Sequence, residues 1–86
     1  MTSFAPLALE QLSYWIQQDR KIALRILRMI AELEKNPFTG IGKPEPLKGD
    51  FKGYWSRRID NEHRLIYKIT HESIQIHSCY RTTKNK

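Results

Sequence analysis

Between Phe38 and Gly53 this 86-residue chain places Lys43, Glu45 and Lys48 in a stretch punctuated by glycines and prolines, and Arg58 and Arg64 follow shortly after. A carboxylate that can take a proton, two forked guanidinium groups that match phosphate oxygens and an added ammonium are ingredients for binding a phosphodiester and cleaving RNA at its 2'-hydroxyl. In such a reaction a base removes the 2'-hydroxyl proton, cations neutralise charge growing on the phosphate, and an acid protonates the departing 5'-oxygen. Glu45 is the candidate base, Arg58 and Arg64 the phosphate clamps, and Lys48 a further cation. The scheme calls for no metal ion and no cofactor. The same residues also fit plainer roles. Glu45 between two prolines suits a solvated loop position, and Arg58 and Arg64 suit solvated sheet edges or docking points for an acidic partner. The residues alone therefore lead to a basic domain with RNA binding as one reading among these.

Composition narrows the field. The length fits one domain over residues 1–86, and the net charge of +6 favours a polyanionic or acidic partner. Cys79 is the single cysteine, which excludes an intramolecular disulfide and suits a reducing cytoplasm. His63, His71 and His77 show none of the paired spacings of structural zinc. No run of residues approaches the ~20 apolar positions of a membrane span.

The elements that must position these side chains follow from periodicity. After a short strand near Ser3 to Ala5, Pro6 opens a helix in which Leu9, Leu12, Trp15 and Ile16 recur at helical spacing, ending near Gln18. Asp19 caps a second helix with Ile22, Ile26, Met29, Ile30 and Leu33 on one face and Arg25, Arg28, Glu32 and Lys35 on the other. Asn36-Pro37 stops it. The aperiodic stretch from Phe38 to Gly53 is too long for a mere connector. Three strands follow, Tyr54 to Ile59, Arg64 to Thr70 and Ser73 to Tyr80, separated by short polar turns. Two helices and then a meander predict an α+β fold with both helices on one face of an antiparallel sheet.

Alternate strand residues point to opposite sides, so the pattern sorts the side chains. With Asp60 to Arg64 as the first turn, Ile59 is expected opposite Leu65 and Arg57 opposite Tyr67. With His71-Glu72 as the second, Ile69 is expected opposite Ile74 and Ile66 opposite His77. Trp55, Ile59, Leu65, Tyr67, Ile69, Ile74 and Ile76 then cover the helices. Arg58, Arg64, Lys68, His77 and Arg81 form a basic open face, with Gln75 and Cys79 among them. His63 points to the apolar side. Arg57 is the misfit there and requires an acidic partner or a route to the sheet edge.

From Asn36 to Tyr67 the sequence NPFTGIGKPEPLKGDFKGYWSRRIDNEHRLIY resembles the signature of YoeB/Txe-type toxins in the RelE superfamily of bacterial toxin-antitoxin systems. The blocks GKPEPLK, WSRRI and EHRLIY carry the resemblance in order, and it extends over roughly Leu12 to Tyr80. It implies the RelE-like, microbial-ribonuclease-like α+β fold and an mRNA endonuclease acting on translating ribosomes, neutralised by a YefM/Phd-type antitoxin. It also implies Glu45 as general base, Arg64 as the phosphate-stabilising arginine, and Arg58 and Lys48 as substrate-binding cations. Operator DNA would be met only through the antitoxin, and a homodimer stays open.

One departure stands out. Thr82-Thr83 occupy the places where this family closes with a His-Tyr pair whose histidine is the general acid, and a threonine hydroxyl is too weak an acid for that step. His77 and Arg81 are the candidate substitutes for that acid, since both are expected beside Arg64, with His77 taken as catalytic and Arg81 also as a substrate-binding group. The rival expectation is a catalytically weakened homologue that binds its antitoxin and serves as a transcriptional co-repressor.

Overall fold

The computed structural model describes residues 1–71 and 73–81. A short strand β1 (Thr2–Phe4) leads into helix α1 (Pro6–Gln18) and helix α2 (Arg20–Lys35). The remainder is β2 (Glu45–Pro46), a 3-10 turn (Gly49–Phe51), β3 (Tyr54–Arg58), β4 (Arg64–Thr70) and β5 (Ser73–Ser78). Among the described residues no helix is long and apolar enough to cross a membrane.

Local chemistry explains the helix bounds. Pro6 occupies the first turn of α1, where its missing N–H is no loss. The Asp19 carboxylate accepts from the amides of Lys21 (3.2 Å) and Ile22 (3.4 Å), ending one helix and starting the next. Both helices bury an apolar stripe on the sheet: Leu12 and Trp15 from α1 and Ile26, Met29 and Leu33 from α2 meet Leu65, Tyr67, Ile74 and Ile76, whereas Leu9 and Ile16, expected in the α1 stripe, are exposed. Arg25 and Glu32, on the other face of α2, are both half-buried and engaged. Arg25 Nε donates to the Ile59 carbonyl (2.6 Å), and Glu32 turns toward Arg57.

The sheet order is β1-β5-β4-β3-β2. The expected antiparallel meander is present, and β1 joins β5 in parallel, making the sheet mixed. The first hairpin differs from the expected register by two residues. Arg57 faces Leu65 and Arg58 lies directly opposite Arg64, an even shift that leaves every residue on its expected face. Asp60 sets this shift by closing the turn: its carboxylate accepts from the amides of Glu62 (2.8 Å) and His63 (2.7 Å), while the Ile59 amide donates to the His63 carbonyl (2.9 Å).

The second hairpin begins as expected, with Ile69 opposite Ile74, but a bulge intervenes between Ile66 and Tyr67. Ile66 consequently pairs with Ser78 instead of His77, and one extra β5 residue changes the parity of everything beyond it. Cys79, expected on the open face, is instead in the core. Helix α1 holds it there: Gln11 Oε1 accepts from the Cys79 amide (2.7 Å), and Trp15 Nε1 donates to the Cys79 carbonyl (2.9 Å).

Candidate active site

Glu45, assigned to a loop by its neighbouring prolines, lies in the two-residue edge strand β2. It pairs with Ser56, and Pro46 pairs with Trp55. An edge tolerates Pro46 because that backbone has no N–H to contribute. The registers then arrange the open face in rows running across the strands. Arg58 and Arg64 form the first row. Glu45, Ser56, Ile66 and Ser78 form the second. Tyr54, Lys68, Gln75 and Ser3 form the third. Successive rows are ~7 Å apart, twice the rise per strand residue. Glu45 therefore stands one row from the paired arginines on the same face of the sheet.

The Glu45 and Arg58 side chains are exposed, and neither makes a hydrogen bond or ion pair among the described residues. Arg64 is half-buried and donates from one guanidinium nitrogen to the Asp60 carbonyl (3.2 Å), which fixes its direction. Burial pushes the Asp60 carboxyl up, but the His63 and Glu62 amides, aided by the nearby His63 and Arg64, outweigh it and hold the group below its ordinary range. Lys48 is exposed at the start of the 3-10 turn, and Lys43 is exposed in a left-handed conformation (φ 52°). Two arginines and the Glu45 carboxylate thus share one face of the sheet, around a second row whose Ser56, Ile66 and Ser78 are buried, and exposed Lys48 follows β2. The arrangement can hold a phosphodiester and accept a proton beside it.

Two expected members of this group lie elsewhere. His77, placed beside Arg64 by the sequence parity, sits at the bulge instead. Its ring packs against Phe51 (5.6 Å between centroids) and against Tyr54 (5.5 Å), a third-row residue. Arg81 is bound to β4 through its backbone: its amide donates to His63 Nδ1 (2.6 Å) and its carbonyl accepts from the Arg64 amide (3.2 Å). Its guanidinium lies over the Tyr80 ring (5.5 Å), which packs with Tyr14, Trp15 and His63 on the helix side. The Arg81 side chain is therefore not part of the expected open-face row. Thr82 and Thr83 lie outside the described residues.

The model of a YoeB-like toxin of bacterial type II toxin-antitoxin systems matches residues 4–82. The chain belongs to the YoeB-like toxins. Among its relatives, the toxin YoeB of Streptomyces coelicolor is 55% identical over 67 residues, covering 78% of this chain and 80% of the relative. The YoeB/ParE toxin from Agrobacterium tumefaciens superposes with a TM-score of 0.92 at 33% identity, covering 95% of this chain and 98% of that one. YoeB in the heterotetrameric YoeB-YefM toxin-antitoxin complex from Staphylococcus aureus gives a TM-score of 0.88 at 39% identity, covering 96% and 97%. The RelE-like fold is shared with them.

In this YoeB-like toxin the first arginine of the WSRR block does what sequence reasoning left unassigned. Arg57 is fully buried, and all five of its N–H donors are used. Nε donates to the Tyr67 hydroxyl (3.2 Å). One terminal nitrogen serves Glu32 Oε1 (3.0 Å) and the Ile41 carbonyl (3.2 Å), and the other serves the carbonyls of Asn36 (2.5 Å) and Thr39 (2.8 Å). The segment that delivers Glu45 to β2 is thereby tied to the core. The available signal was Arg57's position on the apolar parity, which demanded an acidic partner; Glu32 on α2 is that partner. Cys79 is held as a protonated thiol at neutral pH, because burial pushes it up to about 12.

Proposed function

We propose that this YoeB-like toxin is an endoribonuclease that cuts mRNA on the ribosome, and that a YefM/Phd-type antitoxin neutralises it. The observation that carries the proposal is the Glu45 carboxylate, exposed and without a partner among the described residues, one row from the opposed Arg58 and Arg64 on a single sheet face. In this reading Glu45 takes the 2'-hydroxyl proton, and the freed oxygen attacks the adjacent phosphorus. Arg64, Arg58 and Lys48 hold the phosphate oxygens as negative charge builds, with forked guanidinium donors suited to that task. The P–O5' bond breaks, leaving a 2',3'-cyclic phosphate on one fragment and a 5'-hydroxyl on the other.

With His77 and the Arg81 side chain away from the Arg58–Arg64 row, the leaving oxygen takes its proton from water or from a ribosomal group. Where water is the donor, the lack of general-acid help costs ~10²- to 10⁴-fold in rate, so cleavage is slow but present. The antitoxin reading draws on the S. aureus YoeB-YefM complex, whose toxin shares this fold, and on the basic open face, which suits an acidic segment that orders on binding.

The test is expression without antitoxin of the parent, Glu45→Gln, Arg64→Ala and Arg64→Lys, with mapping of new 5'-hydroxyl ends in mRNA. The parent should arrest growth and generate cuts inside codons. The two neutralising changes should abolish both, and Arg64→Lys should be poor because one ammonium cannot reproduce the fork. Folded Glu45→Gln and Arg64→Ala proteins as toxic as the parent would sink the assignment. A harmless parent that still binds antitoxin would instead establish the weakened, co-repressing homologue, which the displaced His77 keeps in contention.

A further inference from the structure

The third row of the open face contains a feature that the phosphate chemistry leaves unused. Phe51, Tyr54 and His77 form a closed trio of rings, with centroids 5.5–5.6 Å apart in every pair and planes inclined by 60–77°. The Lys68 ammonium stands over the Tyr54 ring at 5.4 Å. Beside the trio is a cavity of about 290 Å³ whose lining includes Tyr54, His77, Gln75 and Ser3. None of the three rings is fully buried, while Gln75 and Ser3 are exposed. The β5 bulge explains the construction, since an extra residue re-aims a side chain, and here His77 is left unpaired beside Tyr54 instead of opposite Ile66.

Resting on the endoribonuclease reading, we infer that this cavity is a nucleobase subsite in which a base of the bound RNA stacks on Tyr54 and His77. Three observations select that occupant. The row lies on the same face as Arg58 and Arg64, so a polyanion held there passes over it. Tyr54 and Arg58 are four residue steps apart along β3, ~13 Å at strand rise, a distance spanned by about four stacked nucleotides and by fewer when they are unstacked. Finally, aromatic rings within a cationic groove are the usual platform for single-stranded bases. The cavity lies at the small end of ligand sites, sized for one base. The Gln75 amide and the Ser3 hydroxyl offer donors and acceptors to a base edge, and Lys68 is placed for the intervening phosphate. His77 thus acquires a stacking role in place of proton donation.

The test is the affinity of the free toxin for short 2'-O-methyl RNA, which lacks the attacking hydroxyl, with each base in turn replaced by an abasic residue. One position should weaken parent binding about fivefold or more, the range of a lost stacked base. Tyr54→Ala and His77→Ala should erase that position's penalty, and His77→Phe should restore it. Circular dichroism would verify that each variant is folded. A flat abasic profile, or no RNA binding by the free toxin, would overturn the subsite, while the endoribonuclease reading stands or falls separately on the 5'-hydroxyl ends mapped in mRNA. Restoration by phenylalanine separates stacking from acid catalysis: an abasic penalty as absent in His77→Phe as in His77→Ala would remove stacking from the account.

Discussion

Arg57 and Glu32 meet at 3.0 Å between α2 and β3, and the same Glu32 oxygen accepts from the Ile41 amide at 2.8 Å. One carboxylate oxygen therefore joins helix, sheet and loop. The loop cannot move without disturbing a guanidinium that has no exposed surface.

Breaking that arrangement should be severe. Arg57→Leu leaves three loop carbonyls without their donors and Glu32 without its cation, and should lower stability by ~3–5 kcal/mol, as expected when a buried pair loses one partner. Glu32→Gln keeps an acceptor oxygen but loses the charge, and should cost less, ~1–3 kcal/mol. Urea unfolding of the three proteins provides the comparison. A loss below about 1 kcal/mol for Arg57→Leu would show that the loop finds other partners.

Gly42 and Gly53 offer a controlled pair. Both have positive φ, 84° and 96°. A Cβ on Gly42 would meet Met29 Cε at 2.8 Å and both Arg57 Cβ and the Arg58 carbonyl at 3.0 Å, whereas one on Gly53 would meet nothing within 4 Å. The Gly42 carbonyl also accepts from the Arg58 amide (2.6 Å), so a shift there disturbs the arginine row. Gly53→Ala should cost ~1 kcal/mol from backbone strain alone, and Gly42→Ala clearly more. Equal losses in thermal unfolding would contradict the packing argument.

Cys79 provides a pH signature. Its thiol is raised from 9.0 in the unfolded chain to about 12 by burial. A raised acid contributes stability that is fully present below pH 9.0 and is lost progressively as pH climbs toward 12, because only the unfolded state releases the proton there. The stability advantage of the parent over Cys79→Ala should therefore shrink above pH 9.0. Iodoacetamide at pH 8 should label the thiol only as fast as the chain opens. Rapid native-state labelling would show an accessible thiolate instead.

Much of this protein was legible before any coordinates. Apolar residues every three or four positions, with Pro6 and Asp19 at the boundaries, determined both helices, and the β-rich runs determined the three long strands. These signals are short-range, acting between neighbours along the chain. Parity also gave the correct faces for Arg57, Arg58, His63 and Arg64, because the two-residue slip at Asp60 was even. The β5 bulge was not legible, since nothing between Ser73 and Tyr80 marks an extra residue. It is accompanied by Gln11 and Trp15 holding Cys79 across separations of 68 and 64 residues, contacts that exist only once α1 lies on the sheet. That odd-numbered interruption decided where His77 and Cys79 point. Glu45's place on an edge strand was likewise decided in three dimensions, by a buried arginine drawing the preceding loop onto α2.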